Sequence, residues 1–130
     1  MIDIQPKKFK VDYETTFIAV PELTAEEHKA LVEKFLNLLT SNDAEIVNVE
    51  QWGLRRLAYP IQRKHNGYYT FVEFSAYGEL ISKLEREYGY DERILRYLTV
   101  KLDKHSLAFN IKRREQGFGM RKESEANKQQ

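Results

Sequence analysis

From Ile46 to Phe74 the chain reads IVNVEQWGLRRLAYPIQRKHNGYYTFVEF, a stretch that predicts two strands joined by a turn. Ile46 to Val49 has strand-like order, and Leu54, Leu57, Tyr59 and Ile61 continue the apolar supply. Gly53 sits midway, where so long a strand would gain a bulge that changes its bend or phase. Pro60, which donates no backbone hydrogen bond, belongs at an edge or a turn. Asn66-Gly67 is the strongest short-range hairpin signal here and places the turn just before Tyr68–Phe74. In that second strand Thr70, Val72 and Phe74 suit an inward face, and Tyr69, Phe71 and Glu73 the opposite one.

Working outward, Tyr13 to Val20 (YETTFIAV) is β-branched and aromatic, and Pro21 stops it. Thr24 opens a helix, with Glu27 three residues later completing a capping box. Leu31, Val32, Phe35, Leu36, Leu38 and Leu39 form its apolar stripe, and Thr40-Ser41-Asn42-Asp43 ends it. Ala76 to Tyr88 predicts a second helix, with Gly89 just past its C-terminus. Ile94 to Leu102 is a last strand, with Arg96, Leu98 and Val100 on one parity and Leu95, Tyr97 and Thr99 on the other. The order β-α-β-β-α-β predicts an α+β fold, the ferredoxin-like split βαβ sandwich. Its four-stranded antiparallel sheet would carry two helices on one face and leave the other face open. The expected organisation is an N-terminal extension over 1–11, the domain over 12–105 and a basic, flexible C-terminal extension over 106–130.

At 130 residues and 15.4 kDa the chain suits one domain, large enough to hold its own core. It has no cysteine, which removes disulfides, thiolate metal sites and thiol nucleophiles. No apolar run approaches the roughly 18 residues of a membrane span, so no membrane contact is expected. His28, His65 and His105 lie in three separate elements with no metal-ligand spacing, and His28 is expected to face solvent. Gly117-Phe118-Gly119 follows no strand, so it is no phosphate loop. Catalytic residues, metal and cofactor are therefore all expected to be absent.

The formal net charge is only +1. Its distribution is uneven, because residues 51–72 hold no Asp or Glu but include Arg55, Arg56, Arg63 and Lys64. Such a local field attracts phosphate. As neighbours on extended chain, Arg55 and Arg56 point to opposite sides, which suits RNA backbone better than a base-stacking platform. Arg93 and Arg96 either join this field or pair internally with Asp91 and Glu92. Lys112, Arg113 and Arg114 are candidate contacts in the tail. Gly67–Phe74 comes near the third-strand pattern of RNA-recognition motifs but has one additional residue. Base stacking by Tyr69, Phe71 or Tyr97 therefore competes with ordinary cross-strand packing.

Trp52-Gly53-Leu54-Arg55-Arg56-Leu57-Ala58-Tyr59-Pro60-Ile61 closely resembles the signature of the bacterial small-subunit ribosomal protein six family. Tyr13-Glu14, Gly67-Tyr68-Tyr69 and Asp91-Glu92-Arg93-Ile94-Leu95-Arg96-Tyr97 fall where that family has its matching elements. The likeness spans about Asp12 to His105. It implies a non-catalytic structural protein of the cytoplasmic ribosome, a monomer before assembly. It further implies binding to the central domain of small-subunit ribosomal RNA as a pair with ribosomal protein eighteen. By the same resemblance, Arg55, Arg56, Arg93 and Arg96 carry over as RNA or partner contacts, and Tyr13 as an RNA-proximal residue. Two other readings stand beside it: a free-standing single-stranded RNA binder of the recognition-motif type, and a ferredoxin-like regulatory or protein-interaction domain.

Overall fold

A computed structural model of the chain describes residues 9–103. The elements are β1 (Val11–Ala19), α1 (Ala25–Ser41), β2 (Glu45–Ile61), β3 (Lys64–Ala76), α2 (Glu79–Tyr90) and β4 (Ile94–Lys101). The strands form one antiparallel sheet in the order β2-β3-β1-β4. This is the split βαβ sandwich expected from the pattern.

Both helices pack on one face. Leu31, Val32, Phe35 and Leu39 of α1 and Leu80, Leu84 and Tyr88 of α2 meet Phe17, Ala19, Val72, Phe74, Ala76 and Ile94 from the sheet. Removing each large side chain from water contributes about 1.5–3 kcal/mol, so this stripe-on-sheet contact dominates the stability of the fold. At its centre the Tyr88 ring lies 4.5 Å from Phe35 and 5.4 Å from Phe17. The buried Tyr88 hydroxyl is satisfied by Thr15, whose Oγ1 is 2.9 Å away and also meets Thr99 Oγ1 at 2.8 Å. The capping box forms as its residues foretell. Thr24 Oγ1 accepts from the Glu27 amide at 3.1 Å, and Glu27 Oε1 accepts from the Thr24 amide at 2.8 Å.

Four local expectations are corrected. The hairpin turn is not at Asn66-Gly67; both lie inside β3, paired with Arg56 and Arg55. The turn is Gln62-Arg63, two consecutive left-handed residues at φ 50° and 66°, closed by the Ile61–Lys64 pair. Gly67 is in the strand for closeness, since a Cβ there would stand 2.4 Å from Ile18 Cγ2. Second, α2 begins at Glu79 and runs through Gly89 to Tyr90, with Asp91 as its C-cap. Third, His28 is buried, stacked on Tyr68 at 4.3 Å, because Tyr68 leans across the sheet end toward α1 and donates to the Leu23 carbonyl. Fourth, Tyr97 is on the helix-covered face, opposite Phe17 and 5.1 Å from Tyr88, so it cannot join an open-face stacking platform.

Other sequence features hold. Gly53 adopts φ +74° at a register shift between Gln51 and Gly53, and this bulge re-aims the rest of β2. Thr70, Val72 and Phe74 face the helices and are buried. Beyond the last β1–β3 pair, Ala19–Tyr68, the β2–β3 hairpin projects past the sheet. A second small core of Ile18, Leu57 and Leu95, with Val20, Ile61 and Tyr69 against it, anchors that projection on the side opposite the helices.

Candidate nucleic-acid interface

The projecting hairpin gathers most of the expected cations at one end of the molecule. Arg55 pairs with Gly67, the Gly67 side of the sheet adjoins Val20, and the Val20 amide donates to the Arg93 carbonyl at 2.9 Å. Arg55 and Arg93 thus stand on nearly the same rung, with Arg96 a few residues along β4 opposite Ile18. Three strand spacings separate Arg55 from Arg96, about 14 Å. Arg56 is the exposed neighbour of Arg55 on the other side of edge strand β2, as alternation requires. Arg63 occupies the hairpin tip.

These cations are not equivalent. Asp91 accepts from Arg93 Nε at 2.9 Å, Arg93 Nη2 at 2.7 Å and the Arg93 amide at 3.0 Å. Lys34 Nζ adds a fourth donor at 2.8 Å. Arg93, first among these partners, holds the Asp91 carboxyl well below the usual carboxylate range. Arg93 is therefore a clasp from β4 to the end of α2, with its charge already matched. Lys64 is likewise matched by Glu22. Arg55, Arg56, Arg63 and Arg96 make no ion pair among the described residues. Arg55 is half-buried beside the small core, and its Nε is out of water with no hydrogen-bond partner among the described residues. A guanidinium donor in that state is completed by an anionic acceptor such as a phosphate or carboxylate.

Tyr13 does not join this group. Its ring stacks on Phe74 at 5.7 Å on the helix-covered side. Phe74 is seven residues along β3 from Gly67, so Tyr13 lies about 23 Å from the Arg55 rung. Lys112, Arg113 and Arg114 fall outside the described residues.

The open face carries a feature that strand parity only half predicts. Trp52, Tyr69 and Phe71 cluster there, with Trp52 at 4.3 Å from Phe71 and 6.1 Å from Tyr69. Burial pushes the Tyr69 phenol up, while the Arg96 charge draws it down. Tyr69 and Phe71 follow from parity. Trp52 does not follow by counting from the inward Ile46, because the register shift between Ile46 and Asn48 puts Asn48, Glu50 and Trp52 on the open face. The β1 positions on that face are Asp12, Glu14, Thr16 and Ile18, none of them aromatic. Glu14 is directly opposite Glu73, and Glu50 directly opposite Phe71. A carboxylate-flanked trio without a ring on β1 is a poor platform for single-stranded RNA, whose phosphates it would repel. Among the described residues no group of His, Asp or Glu could hold a metal ion. Likewise, no described helix is long and apolar enough to cross a membrane.

The chain is similar to known proteins in both sequence and fold. The family model described as Ribosomal protein S6 matches residues 12–101. The chain is 49% identical over 102 residues to small ribosomal subunit protein bS6 of Phocaeicola vulgatus, covering 78% of this chain and 90% of that protein. It is 50% identical over 103 residues to the Parabacteroides distasonis protein of the same name, covering 79% and 87%. Its structure is similar to the crystal structure of 30S ribosomal protein S6 from Thermotoga maritima. That match has a TM-score of 0.70 and 29% identity, and covers 82% of this chain and 95% of the other.

Proposed function

The chain belongs to the ribosomal protein S6 family, and from that premise we propose that it binds the central domain of small-subunit ribosomal RNA together with ribosomal protein eighteen. The family is a structural, non-enzymatic constituent of the small ribosomal subunit, working on the cytoplasmic ribosome in association with its RNA. The observation that carries the finer reading is the single basic end of the sheet. There Arg55, Arg56, Arg63 and Arg96 converge without an ion-pair partner among the described residues.

Arg55 and Arg56 on opposite sides of an edge strand grip a surface that wraps the edge, as a folded RNA backbone does. Arg63 extends that reach at the hairpin tip. Arg93 supports the site by fixing the start of β4, and Tyr13 supports the core at the far end. A net charge near zero gives weak long-range attraction, so a basic partner protein supplies steering and further contact area. The free chain is a monomer before assembly in this reading.

The test is binding of the full chain to a central-domain RNA fragment, with and without ribosomal protein eighteen, for the wild type and the Arg55→Glu/Arg56→Glu variant. The variant should fail to enter the small-subunit particle while keeping its fold. Its salt dependence should flatten by about 0.7–0.9 in log–log slope for each phosphate that is no longer neutralised. Normal assembly of the double variant would refute the placement of the RNA site.

A further inference from the structure

We propose that Tyr59 is the stacking surface for one unpaired base of the RNA that the hairpin engages. This contact rests on the RNA-binding reading of the same end of the sheet and deepens it, from backbone phosphate alone to a base splayed out of its helix.

Simple alternation along β2 would place Leu57, Tyr59 and Ile61 on one face. Leu57 is buried and Ile61 packs beside it, in the small core with Ile18 and Leu95, whereas Tyr59 between them is 73% exposed. The register shift between Arg56 and Ile61 is the reason. Arg56 is opposite Asn66 and Ile61 opposite Lys64, so Leu57, Ala58, Tyr59 and Pro60 together face His65 alone. The surplus chain has to leave the plane of the sheet, and Ala58, Tyr59 and Pro60 are all exposed.

This bulge is pinned at both ends. Leu57 and Ile61, which flank it, belong to the same apolar cluster. Leu57 also covers Gly67, where a Cβ would stand 3.6 Å from Leu57 Cδ2. Pro60 locks its own φ and restricts the backbone of the residue before it, which is Tyr59. A ring held out on a rigid support loses little freedom when a flat partner lies on it, so little affinity is spent on ordering.

The surroundings select that partner. Tyr59 lies between Arg56 and Arg63, neither of which makes an ion pair among the described residues. Residues 51–72 contain no Asp or Glu, so nothing in this stretch repels a phosphate chain. Cations that hold the backbone, combined with an aromatic face for a base, are the means by which single-stranded segments are bound. One ring takes one base, and a folded RNA supplies such a base at a bulge or loop. Stacking also removes from water an aromatic surface that the fold leaves exposed.

The test titrates the full chain with the central-domain RNA fragment and, separately, with ribosomal protein eighteen. Tyr59→Ala should weaken RNA binding about tenfold with the log–log salt slope unchanged, because a base contact is lost and no phosphate contact is. Tyr59→Phe should bind as the wild type does, and Tyr59→Leu, apolar but without a π face, should not. Circular dichroism should be the same for all three, since the exposed ring is no part of either core. Trp52 is the only tryptophan in the chain, so Tyr59→Trp in a Trp52→Phe background reports from this position alone, and RNA should quench its emission. Wild-type affinity in Tyr59→Ala or Tyr59→Leu, or unquenched emission, overturns the stacking contact and leaves the phosphate site standing. Weaker binding of Tyr59→Ala to ribosomal protein eighteen without RNA also overturns it, by assigning the ring to a protein partner. A wild-type chain with no affinity for the RNA removes both readings together.

Discussion

Two glycines of this chain show that one residue type can be required for unrelated reasons. Gly53 has open space around its Cα and is needed for its positive φ. Gly67 has ordinary backbone and is needed because Ile18 and the Ala19 carbonyl leave no room. Gly53→Ala should therefore cost about 1–2 kcal/mol in any background, as left-handed strain does. Gly67→Ala should cost more and should be partly relieved by Ile18→Ala, a coupling measurable in a double-mutant cycle from denaturant midpoints. Additive effects would contradict the steric account. His28 supplies a pH prediction. Burial lowers its pKa below the ordinary 6.5, so the folded state favours neutral imidazole and the unfolded state binds more protons. Its Nε2 has no partner among the described residues, so the charged form gains no compensation. Stability should thus fall as pH drops below about 6.5, and level off once the folded histidine titrates too. His28→Phe, which keeps the stack on Tyr68, should flatten the melting temperature between about pH 7 and 5. Asp91 acts at lower pH: its depressed carboxyl contributes stability that is lost as pH falls below about 4.

At the scale of elements, the β2–β3 hairpin is the most informative piece. Its turn sits a few residues before the Asn-Gly pair that the sequence favours, and it uses Gln62 and Arg63 where glycine and asparagine are the usual occupants. The register is set elsewhere, by the close approach of Gly67 to Ile18 and by Leu57 settling against Leu95. A further register shift between Arg56 and Ile61 brings Ile61 opposite Lys64 and leaves Gln62 and Arg63 to make the turn. An arginine in the left-handed region at an exposed tip costs stability, which suits a side chain retained for contact rather than for folding. Arg63→Gly should accordingly raise stability by about 1 kcal/mol in thermal melts while weakening binding to the central-domain RNA. A variant that is more stable and binds equally well would remove Arg63 from the interface. The second helix teaches the reverse lesson. Its apolar spacing is legible in the sequence, and Gly89 looks like its stop. The stop is Asp91 instead, whose carboxylate is claimed by Arg93 and Lys34 from outside the helix.

Over the whole molecule, the near-neutral charge conceals a sheet with one basic end and one acidic half. That polarity sets the cationic hairpin apart from the carboxylate-rich end of the open face, two surfaces that a single net charge would merge. The β-α-β-β-α-β order, the capping box, the inward set Thr70, Val72 and Phe74, and the acid-free cationic stretch were all determined by the sequence. Each follows from local periodicity, from a side chain meeting its own backbone, or from counting charges along a continuous run. Tertiary structure alone decided that Arg93 is a clasp, that Tyr13 lies about 23 Å from the arginines, that Tyr97 faces a helix and that Trp52 joins Phe71. The reason is common to all four. A strand's faces alternate, so one bulge or register shift reassigns every side chain beyond it, and an ion pair depends on which distant carboxylate the fold brings within about 3 Å.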